Sequence, residues 1–389
     1  MMTNTSADSE LQIRISTTER RRVLRVPTAI SCAAFIFFIL AALQISVAIL
    51  FAGHRTEIWD AIERFNPSAA KETLAIIALG TSIGSVIVHV LFAVLYFFLA
   101  LSIRRAERWA RIVASMIVHL IDGTYELFRH FYGLRRFTKG EDRSFGAVIG
   151  VLNTVLQMVE TGATHVGVAT DHVIESFRNR LWSGYKTGQG IEPALLAQFH
   201  PLEDGLTAMG VVVWPMTELE ADDALASAAQ IAAGNENVQQ VCIWTPDKDL
   251  AQCVRGNRVV QVDRRSQKIR DAEGVREKFG VDPVLIPDFL ALVGDAADGY
   301  PGIAGIGPVS AARLLNRHGI IESFPPEVLG ASRDLALLFK DLATLRTDAP
   351  LFSDVGELRW RGPTKAFAAC AQRLGDARLL ERSLKAPVA

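Results

Sequence analysis

Cysteine is scarce. Four occur in 389 residues, Cys32, Cys242, Cys253 and Cys370, and none forms a CxxC pair or stands at ligand spacing from a histidine. A disulfide framework is thereby excluded, zinc is not expected, and a reducing, cytoplasmic setting suits the soluble part. An excess of charge of either sign is missing too. Lys plus Arg number 41 and Asp plus Glu 42, for a net charge of −1. A chain basic throughout that coats nucleic acid is therefore excluded. Low hydrophobicity is also absent, since 50% of residues are hydrophobic, and this excludes a disordered chain. At roughly 150 residues per domain the length predicts two or three units.

Charge is distributed unevenly. Residues 1–115 carry 12 basic and 8 acidic side chains; residues 116–389 carry 29 and 34. Within the first part, 26–53 is a run of 28 uncharged residues, and 73–103 is one of 31, interrupted only by His89. A membrane helix needs about 20 apolar residues. The sequence therefore predicts a disordered N-terminus over 1–25 and a transmembrane hairpin over 26–111, with spans at about 27–51 and 76–100. A buried pair of soluble helices is the alternative. Arg20, Arg21, Arg22 and Arg25 precede the first span, and Arg104, Arg105, Arg108 and Arg111 follow the second, which places both ends on the cytoplasmic face of the membrane. His89, alone in its run, reads as a packed side chain rather than a ligand. Met116 is a second candidate start, so the leading segment is either a natural fusion or a gene-model artefact, and a chain beginning there is expected to be cytoplasmic.

Beyond residue 116 short apolar runs alternate with helical stretches. Strands are predicted at 117–121, 165–169, 211–214, 241–244 and 259–262, and helices at about 144–160, 194–208, 218–233, 271–279 and 284–293. This alternation predicts an α/β fold with a mostly parallel sheet, whose ligands sit beyond the carboxyl ends of the strands. Acids recur there. Asp122 follows the first strand and Asp171 the second. Glu220, Asp222 and Asp223 open the helix after the third, Asp247 and Asp249 follow the fourth, and Asp295 and Asp298 follow a later helix. So many carboxylates in one place repel one another unless cations neutralise them. Oxygen donors without His or Cys favour Mg²⁺ or Mn²⁺. Singly, each acid has a duller explanation: Thr217 and Glu220 suit a capping box, Asp222 and Asp223 suit the helix dipole, and Asp247 an N-cap.

The segments IDGTYELFRHF (121–131), ESFRNRLWSGYK (175–186), ELEADDALAS (218–227), TPDKDLAQ (245–252), LVGDAADGYPGIAGIGPVSAARLL (292–315) and LATLRTDAPL (342–351) resemble, in order, the 5′-nuclease domain of bacterial DNA polymerase I, phage 5′-exonucleases and flap endonucleases. With no polymerase domain following, the standalone members are the nearer match. The resemblance covers 116 to about 352 and implies a PIN-like catalytic domain over 116–290 with an arch at about 175–200 and a helix-hairpin-helix DNA-binding subdomain over 291–352; residues 353–389, outside it, read as a helical tail. It implies a structure-specific nuclease that hydrolyses DNA near 5′ ends or flaps, with two or more divalent ions, about 4 Å apart, held by the nine acids, and 5′-phosphate products. Lys186 and Arg178 are implied to act on the scissile phosphate, and Arg129 to contact another phosphate. Gly302, Gly305, Gly307, Ser310 and Arg313, with Arg317, are implied to grip duplex backbone, with K⁺ at that motif. Implied partners are DNA with 5′ ends or flaps and RNA primers, in repair and replication, without a nucleotide cofactor. Three positions depart from the family pattern: Thr170 replaces Phe before Asp171, Gly299 replaces Asn, and Val309 replaces Lys. Trp182 and Tyr185 suit either base stacking or packing. Two alternatives remain, a PIN-like ribonuclease and a membrane-tethered nucleic-acid-binding module without catalysis.

Overall fold

A computed structural model describes residues 28–53, 55–65, 71–113, 116–138 and 144–388. The expected disordered stretch 1–25, with Arg20, Arg21, Arg22 and Arg25, lies outside them. The chain divides into two compact units at Ser115/Met116.

The first unit is helical. Thr28–Gly53 packs along Lys71–Val113, a continuous helix of 43 residues, and the short helix Arg55–Phe65 joins them. Small side chains allow the close approach: Ala41, Ala48, Ala93 and Ala100 are buried, while bulkier neighbours such as Leu91 and Phe98 face outward. Gln44 Oε1 and His89 Nδ1 are 2.5 Å apart, which makes His89 an interhelical hydrogen-bond partner. Two spans were expected. Among the described residues only Leu79–Ser102, of 24 residues, is long and apolar enough to cross a membrane; Ile39–Leu50 is shorter.

The second unit is built on a six-stranded sheet. Its strands are β1 (Met116–Asp122), β2 (His165–Asp171), β3 (Val212–Met216), β4 (Val238–Trp244), β5 (Val259–Asp263) and β6 (Lys268–Arg270), in the order β3-β2-β1-β4-β5-β6. All neighbours are parallel except β5 and β6. Pro215 sits in β3, where the edge position tolerates its missing N–H. The predicted strands 117–121, 165–169, 211–214, 241–244 and 259–262 fall on β1 to β5; β6, three residues long, was not foreseen.

Side-chain alternation sorts the strand residues between two cores. Ile121, Val166 and Val168 face the helices Gly146–Glu160 and Phe199–Ala208. Val118, Leu120, Ala169, Val241 and Ile243 face the helix Ala221–Gly234. Continuing the same alternation, Asp122 and Asp171 lie on the face of Ala221–Gly234, and Thr170 lies on the other. The chain runs outward from β1 to β3 and returns at β4, beside β1, so the direction of winding reverses between the carboxyl ends of β1 and β4. Crevices at such a reversal are where open α/β sheets bind ligands.

A third core joins the helices Ile286–Val293, Pro308–His318 and Arg333–Ala343. Residues 353–389 were expected to be a helical tail. They do carry helices, Phe367–Leu374 and Ala377–Lys385, which bury Phe367, Cys370, Leu374 and Leu379 in the first core, and Trp360 Nε1 donates to the Met209 carbonyl at 2.9 Å. The stretch 175–200 carries two four-residue helices, Arg178–Leu181 and Pro193–Leu196, and the start of Phe199–Ala208.

Candidate active site

Asp122 ends β1, and its Oδ1 accepts the Tyr125 N–H at 2.8 Å from the first turn of the helix Gly123–Thr138. Its Oδ2 accepts the Thr245 hydroxyl at 3.1 Å, which links β1 to the loop after β4. Asp171 Oδ1 accepts the Ala221 N–H at 2.8 Å, at the positive end of Ala221–Gly234. These carboxylates are aimed by strand ends and a helix N-terminus, so the backbone fixes their directions.

Two groups of acids form around this centre. Ligand oxygens of Asp222, Asp247 and Asp249 lie within 4.8 Å of one another, and so do those of Asp249, Asp295 and Asp298. Asp249 belongs to both groups. It is buried, and its Oδ1 has no hydrogen-bond partner in the protein. A buried carboxylate oxygen without a donor is costly unless a cation serves it. Burial pushes the Asp122 carboxyl up to about 7, reinforced by Asp171 and Asp247 and opposed by the Tyr125 N–H. Burial, then repulsion from Asp247, holds Asp222 and Asp249 well above the carboxylate range. Asp171 and Asp298 are raised by burial as well. Two adjoining groups with an all-oxygen donor set fit hard divalent ions.

Two of the nine acids are differently employed. Asp223 is fully buried, and all its acceptor capacity is taken. Its Oδ1 accepts from Arg178 Nη2 at 2.8 Å and the Arg346 N–H at 2.8 Å. Its Oδ2 accepts from Arg178 Nη1 at 2.7 Å and the Glu220 N–H at 2.9 Å. A carboxylate has about four lone-pair sites, so Asp223 has none left for a metal. Glu220 is similarly occupied, by Ser176 Oγ at 2.6 Å, Arg178 Nη1 at 3.1 Å, Tyr185 Oη at 3.3 Å and Lys186 Nζ at 2.8 Å. The bonds from Lys186 and Arg178 outweigh burial and keep Glu220 below the usual glutamate range. The capping-box acceptor at the start of this helix is thus Asp223, bonding the Glu220 N–H, and not the Thr217 pairing the sequence suggested.

Arg178 was expected over the scissile phosphate. It is 1% exposed, and besides Asp223 and Glu220 it donates through Nε to the Leu342 carbonyl at 2.8 Å. A guanidinium with its donors committed inside the protein has none for a phosphate. Arg178 is a positioning residue beneath the acids. Lys186 is at the site: Nζ is 2.8 Å from Glu220 and 3.0 Å from Asp298, and a third of its side chain is exposed. Burial works against its charge, but Asp298 and Glu220 hold the ammonium well above the lysine range. Tyr185 is buried with its hydroxyl on Glu220, and Trp182 donates to the Gly299 carbonyl at 3.0 Å while its ring meets Phe339 edge-on; both are packing residues. Arg129 is bonded to Glu126 at 2.8 Å and partly exposed.

Within the glycine-rich segment, Gly302 is a packing glycine. It is buried at φ +71°, and a Cβ there would lie 2.4 Å from the Gly294 nitrogen. Gly305 and Gly307 are exposed with open space around them, ahead of the helix Pro308–His318. Ser310 lies half-buried in the first turn of that helix, and Arg313 and Arg317 are exposed further along it. Sequence reading passed over Lys248, whose Nζ is 2.6 Å from Asp295. Its place between Asp247 and Asp249 was the available signal.

Comparison with known proteins agrees with this architecture. A family model described as 5′-3′ exonuclease, N-terminal resolvase-like domain, matches residues 117–280, and one described as 5′-3′ exonuclease, C-terminal SAM fold, matches 281–366. DNA polymerase I of Pseudomonas aeruginosa is 34% identical over 259 residues, 61% of this chain; the chain spans 28% of that protein. The 5′-3′ exonuclease of Buchnera aphidicola is 30% identical over 248 residues, covering 59% of this chain and 81% of the relative. Among solved structures, the T5 D15 protein co-crystallized with metal ions superposes with a TM-score of 0.48 at 18% identity, covering 69% of this chain and 97% of that one. The catalytic core of Rad2 in complex with DNA substrate gives 0.48 at 13%, covering 71% and 94%. With the Buchnera protein matched over four-fifths of its length and the two family domains running end to end, the chain belongs to the 5′-3′ exonuclease family.

Proposed function

We propose that residues 116–366 hydrolyse DNA phosphodiester bonds at or near 5′ ends, including flap junctions, and leave 5′-phosphates. The observation that carries this reading is Asp249, buried, shared by two acid groups, and without a donor for Oδ1. Asp122, Asp222, Asp247, Asp249, Asp295 and Asp298 would hold Mg²⁺ or Mn²⁺, with Asp171 orienting the helix that carries Asp222. Bound ions would supply the charge that activates water and stabilises the leaving 3′-oxygen. Lys186, a partly exposed cation beside the cluster, would neutralise charge building on the phosphate. Arg178 and Asp223 hold Glu220, and through it Lys186, in place. The exposed amides at Gly305 and Gly307 and the first turn of Pro308–His318 would bind duplex phosphate, a contact that reads no base.

The test is cleavage of a 5′-flap duplex with labelled ends, against single-stranded RNA, in Mg²⁺, in Mn²⁺ and in EDTA. The reading requires metal-dependent cutting of the flap that Asp222→Asn removes. Preferential cutting of the RNA would instead favour the ribonuclease reading, and metal-independent or absent cutting would overturn hydrolysis.

For the first unit we infer that Leu79–Ser102 crosses a membrane with Arg104 to Arg111 on the cytoplasmic side. Its length, its outward-facing Leu91 and Phe98, and the arginine-rich flank support this. Carbonate-resistant sedimentation of the full chain with membranes tests it; release into the supernatant would reject it.

A further inference from the structure

On the face of the sheet opposite Asp122 and Asp171, three ligating side chains converge that the acidic site does not use. His172 directly follows β2. His200 and Glu203 stand three apart on the helix Phe199–Ala208, and so share one of its faces. Ligand atoms of all three lie within 4.8 Å of one another. His172 Nδ1 is 2.8 Å and His200 Nδ1 3.7 Å from Glu203 Oε2, and the two imidazole rings meet edge-on at 4.4 Å. A tetrahedral ion with bonds of about 2.0–2.1 Å places its ligand atoms about 3.3 Å apart. The observed separations bracket that value, so small rotations of two partly exposed imidazoles would close the site.

We propose that His172, His200 and Glu203 bind one transition-metal dication, zinc by preference, with water completing the coordination. Two imidazoles and a carboxylate suit zinc and disfavour Mg²⁺, which takes oxygen donors. The second carboxylate oxygen is already fixed: Thr170 Oγ1 donates to Glu203 Oε1 at 2.8 Å, leaving Oε2 turned toward the histidines. Such outer contacts orient metal ligands. Thr170 is the position where the family pattern has Phe, so the departure at that strand end supplies the group that orients Glu203. A bound ion would tie the carboxyl end of β2, next to Asp171, to Phe199–Ala208. The cysteine spacing that argued against zinc does not bear on this site, because its ligands come from histidines 28 residues apart.

The experiment uses the full chain, stripped with a chelator and returned to saturating Mg²⁺ so that the acidic groups are filled. Cobalt(II) and then zinc are titrated, with stoichiometry read by elemental analysis, site geometry by the visible cobalt absorption, and Tm by scanning calorimetry. Wild type and Asp222→Asn are expected to bind one ion per chain, with a cobalt spectrum of nitrogen-containing, low coordination number and a rise in Tm on zinc addition. His200→Gln, at an exposed position, and His172→Gln should lose the spectrum and the rise in Tm while keeping the metal-free Tm. Thr170→Val should weaken binding about 10- to 100-fold. Unchanged binding in His172→Gln/His200→Gln, or binding lost only in Asp222→Asn, would overturn the site; so would the absence of stoichiometric binding in wild type.

Discussion

Lys186 Nζ bridges Glu220 and Asp298, at 2.8 Å and 3.0 Å, and its backbone N–H donates to the Asp298 carbonyl at 3.0 Å. This partly exposed ammonium is therefore fixed at both ends, held between the helix that carries Asp222 and the turn that carries Asp295 and Asp298. Replacing it should affect the transition state more than substrate binding. Lys186→Ala is expected to lower kcat by about 10²–10³-fold with little change in KM. Single-turnover cleavage under saturating metal measures it, and a loss confined to KM would move Lys186 to a binding role.

Adjacent acids in one motif should behave in opposite ways. Asp222 belongs to the unneutralised group, whereas Asp223 is satisfied by Arg178 and two backbone amides. Asp222→Asn should raise the Tm of the metal-free protein by relieving repulsion, and should abolish cleavage. Asp223→Asn should lower Tm whether or not metal is present. Calorimetry of both variants in EDTA separates the two roles.

Removing Arg178 leaves two buried carboxylates short of their partner. Arg178→Ala is expected to cost about 3–5 kcal/mol of stability, the range for breaking a buried ion pair. Urea unfolding of the variant checks this. A stable variant with selectively lost catalysis would restore Arg178 to the phosphate.

Metal dependence of stability should follow pH. In the folded, metal-free protein Asp122 titrates at about 7, raised chiefly by burial, against 3.8 for an unperturbed aspartate. A carboxyl raised in this way contributes stability that is complete below the unfolded pKa and is lost as pH rises through the folded value. Asp222 and Asp249 shift in the same direction. His119 and His130, lowered to about 4 chiefly by burial, oppose the trend and are unaffected by the acid cluster's metal. The informative quantity is therefore the rise in Tm produced by Mg²⁺, expected to be small near pH 5 and to grow through pH 7 to 8.

The glycines of the segment before Pro308–His318 divide by space. Gly302→Ala sets a Cβ against the Gly294 backbone at positive φ and should destabilise the fold by more than about 1–3 kcal/mol. Gly307→Ala meets nothing and should fold normally; a raised KM for duplex substrates, with kcat retained, is the expected outcome if its amide faces phosphate.

What the sequence alone determined was the first five strands, the helices between and after them from 144 to 293, and the positions of the acids. Short apolar runs alternating with helical stretches placed β1 to β5 within a few residues. The acids were legible because they stand where strands end, and strand ends converge in a parallel sheet. Tertiary structure decided which acids remain free. Successive residues on a helix turn by about 100°, so Asp222 points to the strand ends while Asp223 points to Arg178, a distinction that no local pattern carries. Arg178, expected at the scissile phosphate, is instead enclosed by Leu342 and Asp223. β6 was missed because three residues are too few for a period. The role of residues 367–385, which cover the first core, and the meeting of His172 with His200 and Glu203 depend on contacts between distant segments, which only the folded packing brings together.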